Sequence, residues 1–144
     1  MTELEVIAIE HACERIVLDS VGFVDGQAYE ALAALFVPDG ILTRPNGDRI
    51  IGPAAILKAY TSRPGGRITR HVVSNIRVTV ESLNRALSLS YALVYSAPAD
   101  GPADGAFGVQ AEPRHLVGEF EDEFVRTPEG WRFALRRARF VMHT

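Results

Sequence analysis

The chain has 144 residues, of which 47% are hydrophobic and 23% charged, and carries a formal net charge of −3. That length specifies one domain, residues 1–144, with enough material for a core of its own. The mild acidity excludes the basic excess expected of a nucleic-acid or anionic-membrane binder, the one local exception being Arg132, Arg136, Arg137 and Arg139 near the C-terminus.

The first segment, about Thr2 to Phe23, reads as a helix. Leu4, Ala8, Ala12, Ile16 and Ile9, Cys13, Val17 fall three and four residues apart and form an apolar stripe. Thr2 with Glu5 has the form of a capping box. The acidic start lacks the basic region and apolar core of a signal peptide. No apolar run reaches the length of about 20 residues that a membrane span needs. Cys13 is the only cysteine, which fits a reducing, cytoplasmic setting. No base can be placed beside it, so it is not a candidate nucleophile. Asp25-Gly26 ends the helix. A second helix is expected from Gln27 to Phe36, with Tyr29, Leu32, Leu35 and Phe36 on its buried side, closed by a turn at Pro38-Asp39-Gly40. Ile41–Thr43 and Arg49–Ile51 form a small hairpin about Asn46-Gly47. Gly52-Pro53 opens a third helix that runs to about Tyr60 and stops before Arg63-Pro64-Gly65-Gly66.

Long strands follow. In Ile68–Val80, alternation places His71, Val73 and Asn75 on one face and Val72, Ser74, Ile76 and Val78 on the other. A titratable ring and an amide on one face suit a polar pocket better than a core. The next strand, Ala86–Ser96, puts Tyr91 and Tyr95 together on a packing face. The Pro-Ala-Asp-Gly tracts after it form a loop, and residues 97–111 are a candidate lid. Strand five, about Pro113 to Arg126, puts His115, Val117 and Glu119 on one face. Strand six, Trp131–Met142, alternates Arg137 and Arg139 with Trp131, Phe133 and Leu135. Those arginines are expected on an exposed or subunit-facing surface, across the hairpin from Glu121 and Glu123. Helices first and a meander of three or four long antiparallel strands afterwards specify an α+β fold, and a strongly curved sheet wrapped over the helical layer would leave a pocket.

These segments resemble the SnoaL-like proteins of the nuclear transport factor 2 superfamily, which implies an NTF2-like, cystatin-like cone: three N-terminal helices packed on a strongly curved, mainly antiparallel mixed sheet that encloses a pocket. The stretch from Asp25 to Asp39 is similar to that family's second-helix segment, and Gly52-Pro-Ala-Ala-Ile56 to the start of its third helix. Thr69-Arg-His-Val-Val-Ser-Asn75 resembles its histidine-bearing strand, and Gly118–Arg126 with Gly130-Trp-Arg-Phe133 its last hairpin. The nearest catalytic pattern is that of scytalone dehydratase. Carried over by position, the resemblance implies that an aspartate at the end of the first helix, Asp25, pairs with a histidine on the long strand, His71. It also implies a second pocket histidine close to His115. Val24 stands where the pattern has a tyrosine, which argues against scytalone itself as substrate.

The chemistry of such a pair is straightforward. A carboxylate bonded to one ring nitrogen fixes the tautomer, and the other nitrogen can move a proton from a carbon next to a carbonyl to a leaving hydroxyl. His71 and Asp25 are therefore the expected catalytic residues, and Asn75, His115, Val73, Val117 and Tyr29 the expected substrate-binding residues. The dyad requires no metal and no organic cofactor. The four histidines are scattered, His11 and His143 far from the others in sequence, and no close ligand pair exists. The expected activity is a small-molecule lyase or isomerase, in its simplest form a dehydratase acting on a ring-containing hydroxy-carbonyl compound. The expected partners are that largely apolar small molecule and a second copy of the chain, docked through the outer sheet face, with no nucleic acid and no membrane. The other reading is a non-catalytic ligand-binding protein or a small structural subunit like those of ring-hydroxylating dioxygenases.

Overall fold

A computed structural model describes all residues, 1–144. Helix α1 spans Glu3–Asp25 and is capped as the sequence requires. The Thr2 hydroxyl accepts the Glu5 N–H at 3.1 Å, and the Glu5 carboxylate accepts the Thr2 N–H at 2.8 Å. The helix runs past Phe23, so Asp25 sits in its last turn. Helix α2 is only Tyr29–Ala33, shorter than its apolar pattern implied. Leu35 and Phe36 leave the helix because the sheet claims them. The Leu35 carbonyl accepts the Phe133 N–H at 2.7 Å, and the Phe36 ring packs 5.0 Å from the Phe133 ring.

Strand β1 therefore begins early and spans Phe36–Thr43. The expected turn at Pro38-Asp39-Gly40 lies within β1 as an irregular stretch where its register with the last strand shifts. Gly40 is needed there by close approach: a Cβ would lie 2.9 Å from the Val37 carbonyl oxygen and 3.1 Å from that of Phe133. Strand β2 is Arg49–Ile51 and helix α3 is Pro53–Thr61. Strands β3 (Arg67–Ser82), β4 (Arg85–Pro98), β5 (Leu116–Thr127) and β6 (Gly130–His143) form an antiparallel meander. β1 joins β6 in parallel, giving one six-stranded mixed sheet in the order β2-β1-β6-β5-β4-β3. The sheet is open, and three helices pack on it, which is the α+β class expected. No helix is long and apolar enough to cross a membrane.

The core lies between α1 and the sheet. Phe133 stacks on Phe124 at 5.1 Å, with Cys13, Val17 and Ile56 fully buried around them. Two β-bulges decide what else faces this side. In β3 the pairing jumps from Ser74↔Tyr91 to Arg77↔Leu89, with Asn75 at φ 54°. In β6 it jumps from Phe133↔Phe124 to Leu135↔Glu123. Each inserts one residue and reverses the alternation beyond it.

Candidate functional site

Beyond the core, where α1 ends, the helices and the sheet separate around a largely apolar cavity of about 320 Å³. Asp25 reaches from the end of α1 to β3 and holds it at three points. Its Oδ2 accepts the His71 backbone N–H at 2.8 Å, and its Oδ1 accepts the Thr69 hydroxyl at 2.9 Å. The same Oδ1 lies 2.6 Å from His71 Nδ1. An ionised carboxylate only accepts, so in the neutral ring Nδ1 carries the proton and Nε2 the lone pair. Both side chains are shielded, with 16% of His71 and 12% of Asp25 exposed, and His71 lines the cavity wall. An aspartate at a helix C-terminus meets the negative end of the helix dipole, so local helix energetics do not explain its presence.

A second polar pair, of which Arg136 lines the same cavity, was not singled out by alternation. Arg136 is buried. Its Nε and Nη2 donate to the two oxygens of Asp122 at 2.7 and 2.8 Å, and its Nη1 donates to the Ser20 hydroxyl at 2.7 Å. Its guanidinium also rests 4.0 Å from the Phe120 ring centroid and 4.4 Å from that of Phe133. Burial pushes the Asp122 carboxyl up, while the Arg136 guanidinium pulls it back down. Arg136 faces inward because the β6 bulge follows Phe133. Strict alternation from Trp131 and Phe133 places Arg137 there instead. Arg137 and Arg139 have the outer parity and pair with Glu121 at 3.8 Å and Glu119 at 2.6 Å, the Arg139–Glu119 pair also touching the cavity rim.

The other sequence-derived candidates lie elsewhere. Asn75 is the bulge residue of β3, is exposed, and does not share the His71 face, because the inserted residue turns it away. The same bulge brings Ile76 and Val78 onto the inner side, against the core. Val73 does share the His71 face, but it packs on the core cluster below the cavity. His115 precedes the start of β5 and Val117 lies on its outer face. Of β5, Leu116, Gly118 and Phe120, of opposite parity, line the cavity, and Glu119 between them reaches only its rim. The His115 ring rests 4.4 Å from that of Tyr95, and its N–H donates to the Thr144 hydroxyl at 2.8 Å. Tyr29 stacks on Tyr60 at 5.3 Å and borders a hollow next to the cavity. Nowhere do three His, Cys, Asp or Glu side chains gather as metal ligands would.

Residues 5–137 match the SnoaL-like domain. No curated protein sequence is significantly similar to the chain. Among solved structures, the chain is similar to a proposed scytalone dehydratase from Novosphingobium aromaticivorans. They superpose with a TM-score of 0.81 at 25% identity, over 99% of this chain and 91% of that one. It is also similar to the hexachlorocyclohexane dehydrochlorinase LinA-type3 from Novosphingobium barchaimii, with a TM-score of 0.81 at 19% identity, over 99% of this chain and 93% of that one. An NTF2-like protein with a cystatin-like fold from Novosphingobium aromaticivorans gives a TM-score of 0.75 at 21% identity, over 96% of this chain and 85% of that one. With the matched domain covering nearly the whole chain and the sheet and helices in the same arrangement, this protein belongs to the SnoaL-like family, with an NTF2-like fold.

Proposed function

We propose that the protein is a small-molecule lyase, most simply a dehydratase, in which His71 is the general acid/base and Asp25 its orienting partner. The observation that carries this reading is the 2.6 Å contact between Asp25 and His71 on the wall of an apolar cavity that side chains leave open. In the proposed reaction, His71 Nε2 takes the proton from a carbon next to a carbonyl. The C–H electron pair forms the new double bond as the bond to the β-hydroxyl breaks. The imidazolium returns its proton to the departing oxygen, which leaves as water. Asp25 stabilises the transient positive charge on the ring. Arg136 uses three of its five N–H groups on Asp122 and Ser20, which leaves two to polarise the carbonyl. The similarity to a proposed scytalone dehydratase supports the same class of reaction. A purely structural subunit has no need of this arrangement.

The test is a panel of cyclic β-hydroxy ketones, followed by the absorbance of the enone formed. The wild type should turn over at least one member. His71→Gln should lower that rate about 10²–10⁴-fold while keeping a wild-type circular dichroism spectrum. Turnover by H71Q equal to that of the wild type would remove His71 from the mechanism.

A further inference from the structure

The cavity walls are unusually cationic for a chain of net charge −3. Five arginines line the cavity, Arg44, Arg63, Arg67, Arg136 and Arg139, against a single lining carboxylate, Glu119. Three of the five are matched by acids: Arg136 by Asp122, Arg139 by Glu119 and Arg67 by Glu112. Arg44, just past the end of β1, and Arg63, just past α3, form no ion pair. Arg63 is nonetheless held in place, because its guanidinium sits 4.2 Å over the ring of Tyr60, another wall residue. A guanidinium stacked by its face keeps its N–H edges free, and that fork matches an oxyanion.

Arg67, which borders the same surface hollow as Arg63, lies at a definite distance from the dyad. Arg67, Thr69 and His71 alternate along one face of β3, ahead of its bulge. Four residues of strand at about 3.3 Å each put the Cα atoms of Arg67 and His71 roughly 13 Å apart. Arg63, Arg67 and Tyr60 also border the adjoining surface hollow, so this end of the cavity opens outward. An anion held there is remote from His71 Nε2.

We propose that the substrate carries an oxyanion, in the simplest case a carboxylate, at the end opposite the reacting carbon, and that Arg63, at the outward-opening end, and Arg44, the other unpaired cation of the lining, bind it. This rests on the dyad as the reacting end, and it names a class of substrate: an apolar ring compound with a terminal acid group. A cavity of about 320 Å³ accommodates a bicyclic ring with a carboxylate. The two unpaired guanidiniums are the specificity determinants.

Calorimetric binding of 2-naphthoate and of its uncharged analogue 2-naphthamide tests this without turnover. The wild type should bind the carboxylate about tenfold tighter or better, since a charge-assisted contact is worth at least that factor. Raising NaCl from about 0.05 to about 0.5 M should narrow the gap, because this end is open to solvent. Exposed Arg63→Gln should lose part of the preference, and R44Q/R63Q should bind both compounds alike with the amide affinity unchanged. H71Q should keep the full preference, which separates this proposal from the catalytic one. Equal binding of the two compounds by the wild type overturns the proposal. So does binding of neither, or a preference that survives in R63Q undiminished. Loss of turnover in H71Q with no carboxylate preference leaves the dyad standing and removes the anion site alone.

Discussion

Asp25 grips His71 twice, once through the ring nitrogen at 2.6 Å and once through the backbone N–H at 2.8 Å, across 46 positions of chain. The carboxylate that sets the tautomer thus also pins the end of α1 to β3. Under the proposed mechanism, function and stability are joined in one side chain, and substitutions should separate them. Asp25→Asn keeps the shape but offers one acceptor oxygen in place of two. It should lower turnover as strongly as loss of His71, with a modest fall in melting temperature. Asp25→Ala removes all three hydrogen bonds and strands two backbone or hydroxyl donors, costing about 1–3 kcal/mol. Paired measurement of kcat and thermal unfolding checks this. A D25A protein as stable as the wild type would show that the contact does not tie the elements together.

The Arg136–Asp122 pair makes a different prediction. Both groups are buried, and removing one leaves the other uncompensated. Asp122→Ala should cost about 3–5 kcal/mol in denaturant unfolding. Replacing both with apolar residues, D122L/R136M, should recover most of that loss and still abolish turnover. Burial raises the Asp122 carboxyl above its value in the unfolded chain, so the folded state holds that proton more tightly. Below about pH 4 the carboxyl is protonated in both states. As pH rises from there the unfolded chain releases the proton first, so this group's contribution to stability declines. Unfolding curves of the wild type and D122L/R136M across pH 4 to 7 should therefore shift in favour of the double variant as pH rises. A difference that moves the other way would show that the guanidinium outweighs burial.

Much of this was legible in the chain itself. The capping box at Thr2, the Asn46-Gly47 hairpin and the proline opening α3 are local signals, and local chemistry decided them. The His71 face of β3 followed from alternation as far as Val73. It failed at Asn75 because a bulge is set by tertiary pairing with β4, which leaves no mark in the strand's own alternation. The same failure, one bulge along β6, hid Arg136 behind Arg137. A sharper signal was present: an arginine next to an arginine in the middle of a strand whose buried phase is set by Trp131 and Phe133. Only the partner, Asp122, and the shift of phase make sense of it. Parity also reversed the reading of β5. Acidic residues at 119, 121 and 123 mark the outer face, and Val117 and His115 go with them.

Cys13 supplies a third prediction. It is fully buried on α1, and burial, with the nearby Asp122 and Glu14 carboxyls, pushes its thiol up to about 12. At pH 8 the folded protein should leave a thiol-reactive chromophore untouched, because the thiolate is the reacting species. Labelling should begin only where unfolding begins. A labelling midpoint in urea that precedes the loss of circular dichroism would reveal an opening of α1 that exposes the core.

The outer face of the sheet carries the last prediction. Register places Val72, Leu93, Val117 and Met142 opposite one another across β3, β4, β5 and β6, in one apolar row. Val72 and Met142 are 52% and 60% exposed, and neighbouring Tyr91 45%. Such a row is covered most simply by a second copy of itself. The charges beside it are matched within the chain, Glu119 with Arg139 and Glu121 with Arg137. Two such faces can therefore meet without opposing net charge, and the apolar row then leaves water. The chain should be a homo-oligomer in solution, with a mass by light scattering of at least twice the protomer. Leu93→Arg, which places a charge at the middle of the row, should shift it to the monomer while leaving the cavity and the Asp25–His71 contact unchanged. A wild type that is monomeric at high concentration, or an L93R variant of unchanged mass, would show that this face is not where the chain associates.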